Sequence, residues 1–235
     1  MRYDLKEGYL IAGKYEVLEK LGAGWEGEVY RVKEKTIGVE RAAKLFYPHS
    51  DARNRATKFY ARKLNKLRHC PIMIQYHTGE KIDLGGMKVN VLISEYVEGE
   101  LLASFVRRQP GKKLAPFEAL HLLHELALGI EEIHRAREYH GDLHDDNIIV
   151  RRRGLSFNVK VVDMFNWGVP KAENIKDDVC DLIRIFYDSL GGKRTYWKQS
   201  PEIKYIISGL KRSLITRKFR TAGHLRRHLE TMEWE

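Results

Sequence analysis

Between residues 15 and 46 the apolar positions fall into short clusters, Val17-Leu18, Val29-Tyr30-Arg31-Val32 and Ala42-Ala43-Lys44-Leu45-Phe46, divided by glycine-rich or charged turns. Clusters of that length between turn residues predict an antiparallel β-meander. Residues 51–68 contain no Gly or Pro, and Ala56, Phe59, Tyr60, Leu64 and Leu67 recur at helical spacing among basic residues, which predicts one helix. Val89-Asn90-Val91-Leu92-Ile93 reads as a dense strand, left by a polar connector over residues 94–99 that marks a boundary between lobes. Pro116 suits the first turn of a helix, where its missing N–H has no partner to lose. That helix is expected to run to about residue 137 with Leu120, Leu123, Ala127, Ile130 and His134 on one face. Further helices are predicted over residues 177–190, 200–214 and 221–231, with Gly191-Gly192 ending the first of them. The chain shows no internal repeat and no low-complexity segment.

Composition narrows the class. A chain of 235 residues, 43% hydrophobic, can bury one substantial core or two lobes sharing a cleft. The formal charge of +10 favours acidic partners such as nucleotides, phosphoproteins, nucleic acid or anionic membrane, without choosing among them. Two cysteines, Cys70 and Cys180, suggest neither a disulfide framework nor a zinc site. A reducing, cytoplasmic setting is expected. The first residues lack the apolar core of a signal peptide, and no run approaches the ~18 apolar residues of a membrane span.

Candidate chemistry comes from three segments. Residues 21–30 read Leu-Gly-Ala-Gly-Trp-Glu-Gly-Glu-Val-Tyr, a G-x-G-x-x-G between two predicted strands. Glycines there let the backbone fold over phosphate oxygens and aim N–H groups at them, although a tight hairpin would explain the glycines alone. A dinucleotide site would need strand, loop and helix instead. Lys44, on the strand after that hairpin, can neutralise phosphates. Residues 139–150 read Tyr-His-Gly-Asp-Leu-His-Asp-Asp-Asn-Ile-Ile-Val, and Val161-Val162-Asp163-Met164 follows. Phosphoryl transfer needs a carboxylate to orient the attacking hydroxyl and oxygen ligands for magnesium. Asp142, Asn147 and Asp163 supply those groups in order.

Taken together, the glycine turn, A-x-K, H-x-D-x-x-x-x-N and the later Asp resemble the protein-kinase-like superfamily from residue 15 to about 230. The resemblance implies one α+β domain over residues 1–235 with the two-lobed kinase fold: a small β-rich N-lobe with one helix (about 1–94), a hinge (about 95–99) and a mainly helical C-lobe (about 100–235). It implies ATP and Mg2+ as cofactors. Gly22, Ala23, Gly24, Gly27, Val29, Ala42 and Lys44 would cover or pair with the nucleotide, and the backbone of Glu95, Tyr96 and Val97 would meet adenine. Asp142 would be the catalytic base, with His144 beside it where a Lys is common, and Asn147 and Asp163 would hold the metal. Asp178 resembles the helical Asp that bonds the catalytic-loop backbone.

Four departures qualify the picture. The helix over residues 51–68 has no Glu near Tyr60 or Ala61 to pair with Lys44. Gly141 stands where an Arg usually precedes the catalytic Asp, so activation-loop phosphorylation should not be needed. With His144 it makes His140-Gly141-Asp142-Leu143-His144, a string more like that of small-molecule phosphotransferases. Residues 163–168 read Asp-Met-Phe-Asn-Trp-Gly instead of Asp-Phe-Gly, only residues 164–177 separate Asp163 from Asp178, and no A-P-E motif follows.

The expected function is an ATP- and magnesium-dependent phosphotransferase, a small atypical Ser/Thr protein kinase whose substrate is a protein, this chain itself included. The short stretch after residue 177 favours that over the alternatives, a sugar- or aminoglycoside-type kinase or a pseudokinase that binds nucleotide. The basic helix Arg53, Arg55, Lys58, Arg62, Lys63, Lys66 and Arg68 reads as solvated surface or a dock for an acidic partner, and Arg151-Arg152-Arg153 as a basic turn. Sparse aromatics disfavour nucleic acid. His121, His124, His224 and His228 read as core or surface residues, not ligands.

Overall fold

The computed structural model describes residues 2–154, 156–164 and 169–233. Of the stretch Asp163-Met164-Phe165-Asn166-Trp167-Gly168, read in place of Asp-Phe-Gly, residues 165–168 lie outside the described residues. The chain divides into two compact units: Met1–His69 with Ile74–Val97, and Cys70–Met73 with Glu98–Glu235.

The first unit is a six-stranded sheet and one helix. Its strands are β1 (Leu10–Ile11), β2 (Tyr15–Ala23), β3 (Gly27–Glu34), β4 (Glu40–Phe46), β5 (Tyr76–Leu84) and β6 (Met87–Glu95), in the order β1-β2-β3-β4-β6-β5. All neighbours are antiparallel. Alternation of side chains gives the sheet two faces. One carries Val17, Tyr30, Val32, Ala43, Leu45, Val91 and Ile93, nearly all fully buried, with Tyr3 and Leu5 laid against them. On the other, Val29 lies opposite Lys44, and Lys44 opposite Leu92.

The segment of residues 3–5 is tied down by Glu28 of β3, whose side chain is wholly buried. Its carboxylate accepts the backbone N–H groups of Tyr3 (2.9 Å) and Asp4 (3.1 Å) and the hydroxyls of Tyr30 and Tyr47, and it pairs with the Lys20 ammonium at 2.9 Å. Burial alone would raise this carboxyl's pKa. The donors from Tyr30, Lys20, Tyr3 and Tyr47 outweigh that and hold it at about 2.

The helix expected over residues 51–68 is shorter. Arg53 and Asn54 have φ of 57° and 60°, so a 3-10 turn, Ala52–Asn54, precedes α1 (Arg55–Lys66). Asp51 explains the break: its carboxylate accepts from the Thr57 amide at 3.1 Å, from the Thr57 hydroxyl, and from Asn90 Nδ2 at 2.7 Å. Strand β5 has no counterpart in the apolar pattern because only Ile82 of it is fully buried, as befits the edge position it holds.

The second unit contains β7 (Glu100–Leu101), α2 (Leu102–Arg108), α3 (Pro116–Arg135), β8 (Ile148–Arg153), β9 (Ser156–Val161), α4 (Ala172–Ser189), α5 (Pro201–Ile207), α6 (Arg212–Lys218) and α7 (Ala222–Thr231). Residues 70–73 belong here because Val161 N–H donates to the Ile72 carbonyl at 2.8 Å and Met73 bridges to Val161. Pro116 opens α3 as expected, and Glu118 reaches back to the Ala115 amide at 3.1 Å. The helix expected over residues 200–214 is two helices. Ser208, Gly209 and Leu210 take φ of 52°, 59° and 58°, which no right-handed helix accommodates. Gly191, at φ 98°, follows the end of α4.

Candidate active site

In the sheet unit, β3 and β4 are drawn together because Gly27 has no side chain. A Cβ there would overlap the Leu45 carbonyl oxygen. Gly22 and Gly24 meet no such neighbour, so the fold requires glycine only at 27 of the three. Lys44 is 9% exposed. Its Nζ lies 2.7 Å from Glu26 Oε2 and faces the rings of Tyr60 and Phe46, with centroids at 5.3 and 5.5 Å.

The sequence suggested no acidic partner for Lys44, and α1 supplies none. The glycine turn itself supplies a carboxylate. Pairing of Gly27 with Phe46 puts the residue before it at the Lys44 end of β4, a signal that needs the hairpin register to be read. Glu95 closes β6, with its amide donating to the Gln75 carbonyl and its side chain accepting from the Gln75 amide, both at 2.9 Å. Tyr96 stacks under the Arg31 guanidinium at 4.7 Å.

In the helical unit the catalytic-loop segment is built around Asp178 of α4, which is fully buried. Its carboxylate accepts the backbone N–H groups of His140 (2.8 Å) and Gly141 (2.7 Å) and His134 Nε2 (2.9 Å). His134, expected only as part of an apolar helix face, therefore braces this loop. Gly141 has φ 79°, so the glycine meets a backbone demand that an Arg there would strain against. His140, also fully buried, bonds the Val162 carbonyl through Nε2 at 3.0 Å. A carbonyl only accepts, so the proton sits on Nε2, and Nδ1 is left to accept the Asp142 amide at 3.3 Å.

Asp142 itself is exposed. Asn147 is 6% exposed, and its Nδ2 donates to the Asp142 carbonyl at 3.0 Å and approaches His144 Nε2 at 2.9 Å. The Val162 amide donates to the Asn147 carbonyl at 3.0 Å, so Val162 is pinned by both its N–H and its C=O. Asp163 follows in the left-handed region at φ 56°. With Nδ2 committed to the backbone, Asn147 offers Oδ1, and Asp163 offers carboxylate oxygens. That is a hard oxygen donor set of the kind magnesium takes.

A further carboxyl, Asp181 one turn along α4, has its pKa pushed up to about 7 by burial and by the charges of Asp178, Asp177 and Asp142. The basic segments differ from expectation. Lys63 is buried, with its ammonium 5.8 Å from the Phe59 ring, while Arg55, Lys58, Arg62 and Lys66 are exposed. Arg151 to Arg153 end strand β8 instead of forming a turn, and Arg151 and Arg152 are paired with Glu98 and Glu118. Among the described residues no helix is long and apolar enough to cross a membrane.

A sheet unit with a glycine turn and buried lysine, and a helical unit with an ordered Asp-Asn-Asp set, define a protein-kinase-like molecule. The chain matches the protein kinase domain over residues 15–203 and belongs to that family, with its two-lobed α+β fold. Over 159 residues it is 28% identical to the serine/threonine-protein kinase PrkC of Bacillus subtilis, covering 66% of this chain and 23% of that protein. Over 161 residues it is 29% identical to the serine/threonine-protein kinase pkn2 of Myxococcus xanthus, covering 67% and 18%. The serine/threonine-protein kinase PksC of Streptomyces coelicolor is 29% identical over 160 residues, covering 66% and 28%. The chain thus spans less than a third of the length of each of these relatives.

Proposed function

We propose that this chain is an ATP- and magnesium-dependent phosphotransferase that phosphorylates Ser or Thr hydroxyls of a protein, this chain itself included. The observation that carries the reading is the catalytic loop: backbone bonds to Asp178 and the Asn147 amide fix the Asp142 main chain while its carboxylate stays exposed. An exposed carboxylate on a fixed backbone can meet an incoming hydroxyl, orient it and accept its proton. Asn147 and Asp163 would hold magnesium, which when bound neutralises phosphate charge. Lys44 and the turn of Gly22, Ala23, Gly24 and Gly27, with Val29 and Ala42 on the strands behind, would hold ATP, and Glu95 to Val97 would meet its base. Protein as acceptor is supported by the relatives, each named a serine/threonine-protein kinase.

The exposed cations of α1 offer a dock for an acidic partner, which would supply specificity away from the transfer site. Purified protein with labelled ATP, magnesium, protein acceptors and a panel of sugars and aminoglycosides tests the reading. Phosphoserine or phosphothreonine is expected. Stoichiometric label on a small molecule, with proteins untouched, would overturn it. Charge reversal at Arg62 and Lys66 should weaken modification of a partner more than ATP hydrolysis.

A further inference from the structure

A carboxylate on the glycine turn meets Lys44, and three features of the sheet unit make this a built arrangement. First, the pair is sheltered: the Lys44 and Glu26 side chains are 10% and 20% exposed, and the contact is 2.7 Å. Second, the turn holds Glu26 by its backbone, independently of the ion pair. The Glu26 carbonyl accepts the Tyr47 amide at 2.8 Å and the Ser50 hydroxyl at 2.6 Å. The preceding Trp25 carbonyl meets His49 Nε2 at 3.0 Å, and the Trp25 ring lies edge-on to His49 at 5.0 Å. Third, α1 carries no Asp or Glu, and the position facing Lys44 is filled by the buried Tyr60 ring.

We infer that Glu26 is the positioning residue for Lys44, doing from the glycine turn what a helix acid would do from α1. The inference rests on the phosphotransferase reading of Lys44. A lysine's four-carbon stem turns about its single bonds, and a carboxylate fixed by its own backbone selects one rotamer and holds the ammonium there by a charge-assisted hydrogen bond. The chemical consequence is coupling. The segment that covers the phosphates also aims the cation that neutralises them, so ordering of the turn by nucleotide and alignment of Lys44 are one event. From α1 the lysine meets the Tyr60 ring and no carboxylate of that helix, so the acid that aims it moves with the turn.

A double-mutant cycle over Glu26→Gln and Lys44→Met separates this from other roles. It should be read both in the initial rate and in magnesium-ATP affinity by calorimetry. Partners that orient metal ligands are worth about 10–100-fold when lost, and by the same logic Glu26→Gln should lower the rate by about that factor. Glu26→Asp should recover part of the loss. In the Lys44→Met background Glu26→Gln should add nothing in affinity or rate, because its action passes through the lysine. Moving the acid to the helix in Glu26→Gln/Tyr60→Glu should also restore rate where that variant keeps its melting temperature.

Equal losses from Glu26→Gln with and without Lys44 overturn the inference, as does tighter nucleotide binding by Glu26→Gln, which would make the carboxylate a competitor of phosphate. An unchanged Glu26→Gln beside a disabled Lys44→Met overturns it while leaving the phosphotransferase reading intact. A Lys44→Met variant with the parent's rate and affinity overturns the reading of Lys44 itself.

Discussion

The glycine turn and the catalytic loop hold their chemistry by different means. In the sheet unit a side chain meets a side chain: Lys44 lies against Glu26, on the face opposite the cluster of Val17, Tyr30, Val32, Ala43, Leu45, Val91 and Ile93. In the helical unit the backbone is what is held. The amides of residues 140 and 141 end on one buried carboxylate, and Asn147 is bonded to the Asp142 carbonyl. Both partners of a side-chain tether can be exchanged together at little cost, whereas a backbone donor cannot be exchanged and is left buried and unpaired when its acceptor is cut. Variation in charge placement should therefore be tolerated around Lys44 and not around Asp178.

The comparison can be tested in order of expected effect. Asp142→Ala should lower kcat by on the order of 10²–10⁴-fold, the usual share of a general base. ATP affinity should stay close to the parent's, as steady-state kinetics beside direct binding would show. A loss confined to affinity would place Asp142 in nucleotide binding instead. Asp178→Ala strips acceptors from two backbone amides and His134, each worth about 1–3 kcal/mol when left buried and unpaired. Denaturant unfolding should accordingly register a loss of several kcal/mol, and a loss under about 1 kcal/mol would mean the loop finds other partners.

Gly141→Ala forces a side chain into the left-handed region and should cost about 1–2 kcal/mol, along with a drop in rate. Gly22→Ala, where nothing crowds the site, should leave stability unchanged. If the two variants unfold alike, the backbone demand assigned to residue 141 is mistaken.

The smallest effect is a pH dependence. Asp181 has a folded pKa of about 7, above the ordinary carboxylate value near 3.9. The native state thus prefers it protonated. Its contribution is fully present below about pH 4 and is lost as pH rises through 7. Asp181→Asn should therefore gain melting temperature over the parent at pH 8 and lose that advantage at pH 4, a difference of about 1 kcal/mol or less after screening by water. A gap of the same size at both pH values would show that Asp181 does not titrate in this window.

What the sequence could disclose was largely local. The order Asp142, Asn147, Asp163 is read directly along the chain, and the β-meander and the Pro116 helix each follow from neighbours a few residues apart. The partner of Lys44 did not, because it depends on hairpin register and on contacts from residues 47–50 back to the turn. Lys63 was hidden for a related reason: in a run of basic residues only the packing decides which one faces inward. The break at residues 208–210 has Gly209 as its sole chemical signal, since Ser208 and Leu210 take the same left-handed conformation without being glycine. Edge strand β5 alternates too weakly to separate from a polar loop.

The attachment of residues 3 and 4 to Glu28 has a practical outcome. Amides outside any helix or strand ordinarily exchange quickly with deuterium, yet those of Tyr3 and Asp4 end on a buried carboxylate immediately after Gly27. Slow exchange at these two positions would make them a built-in gauge of whether the strand leaving the glycine turn is seated.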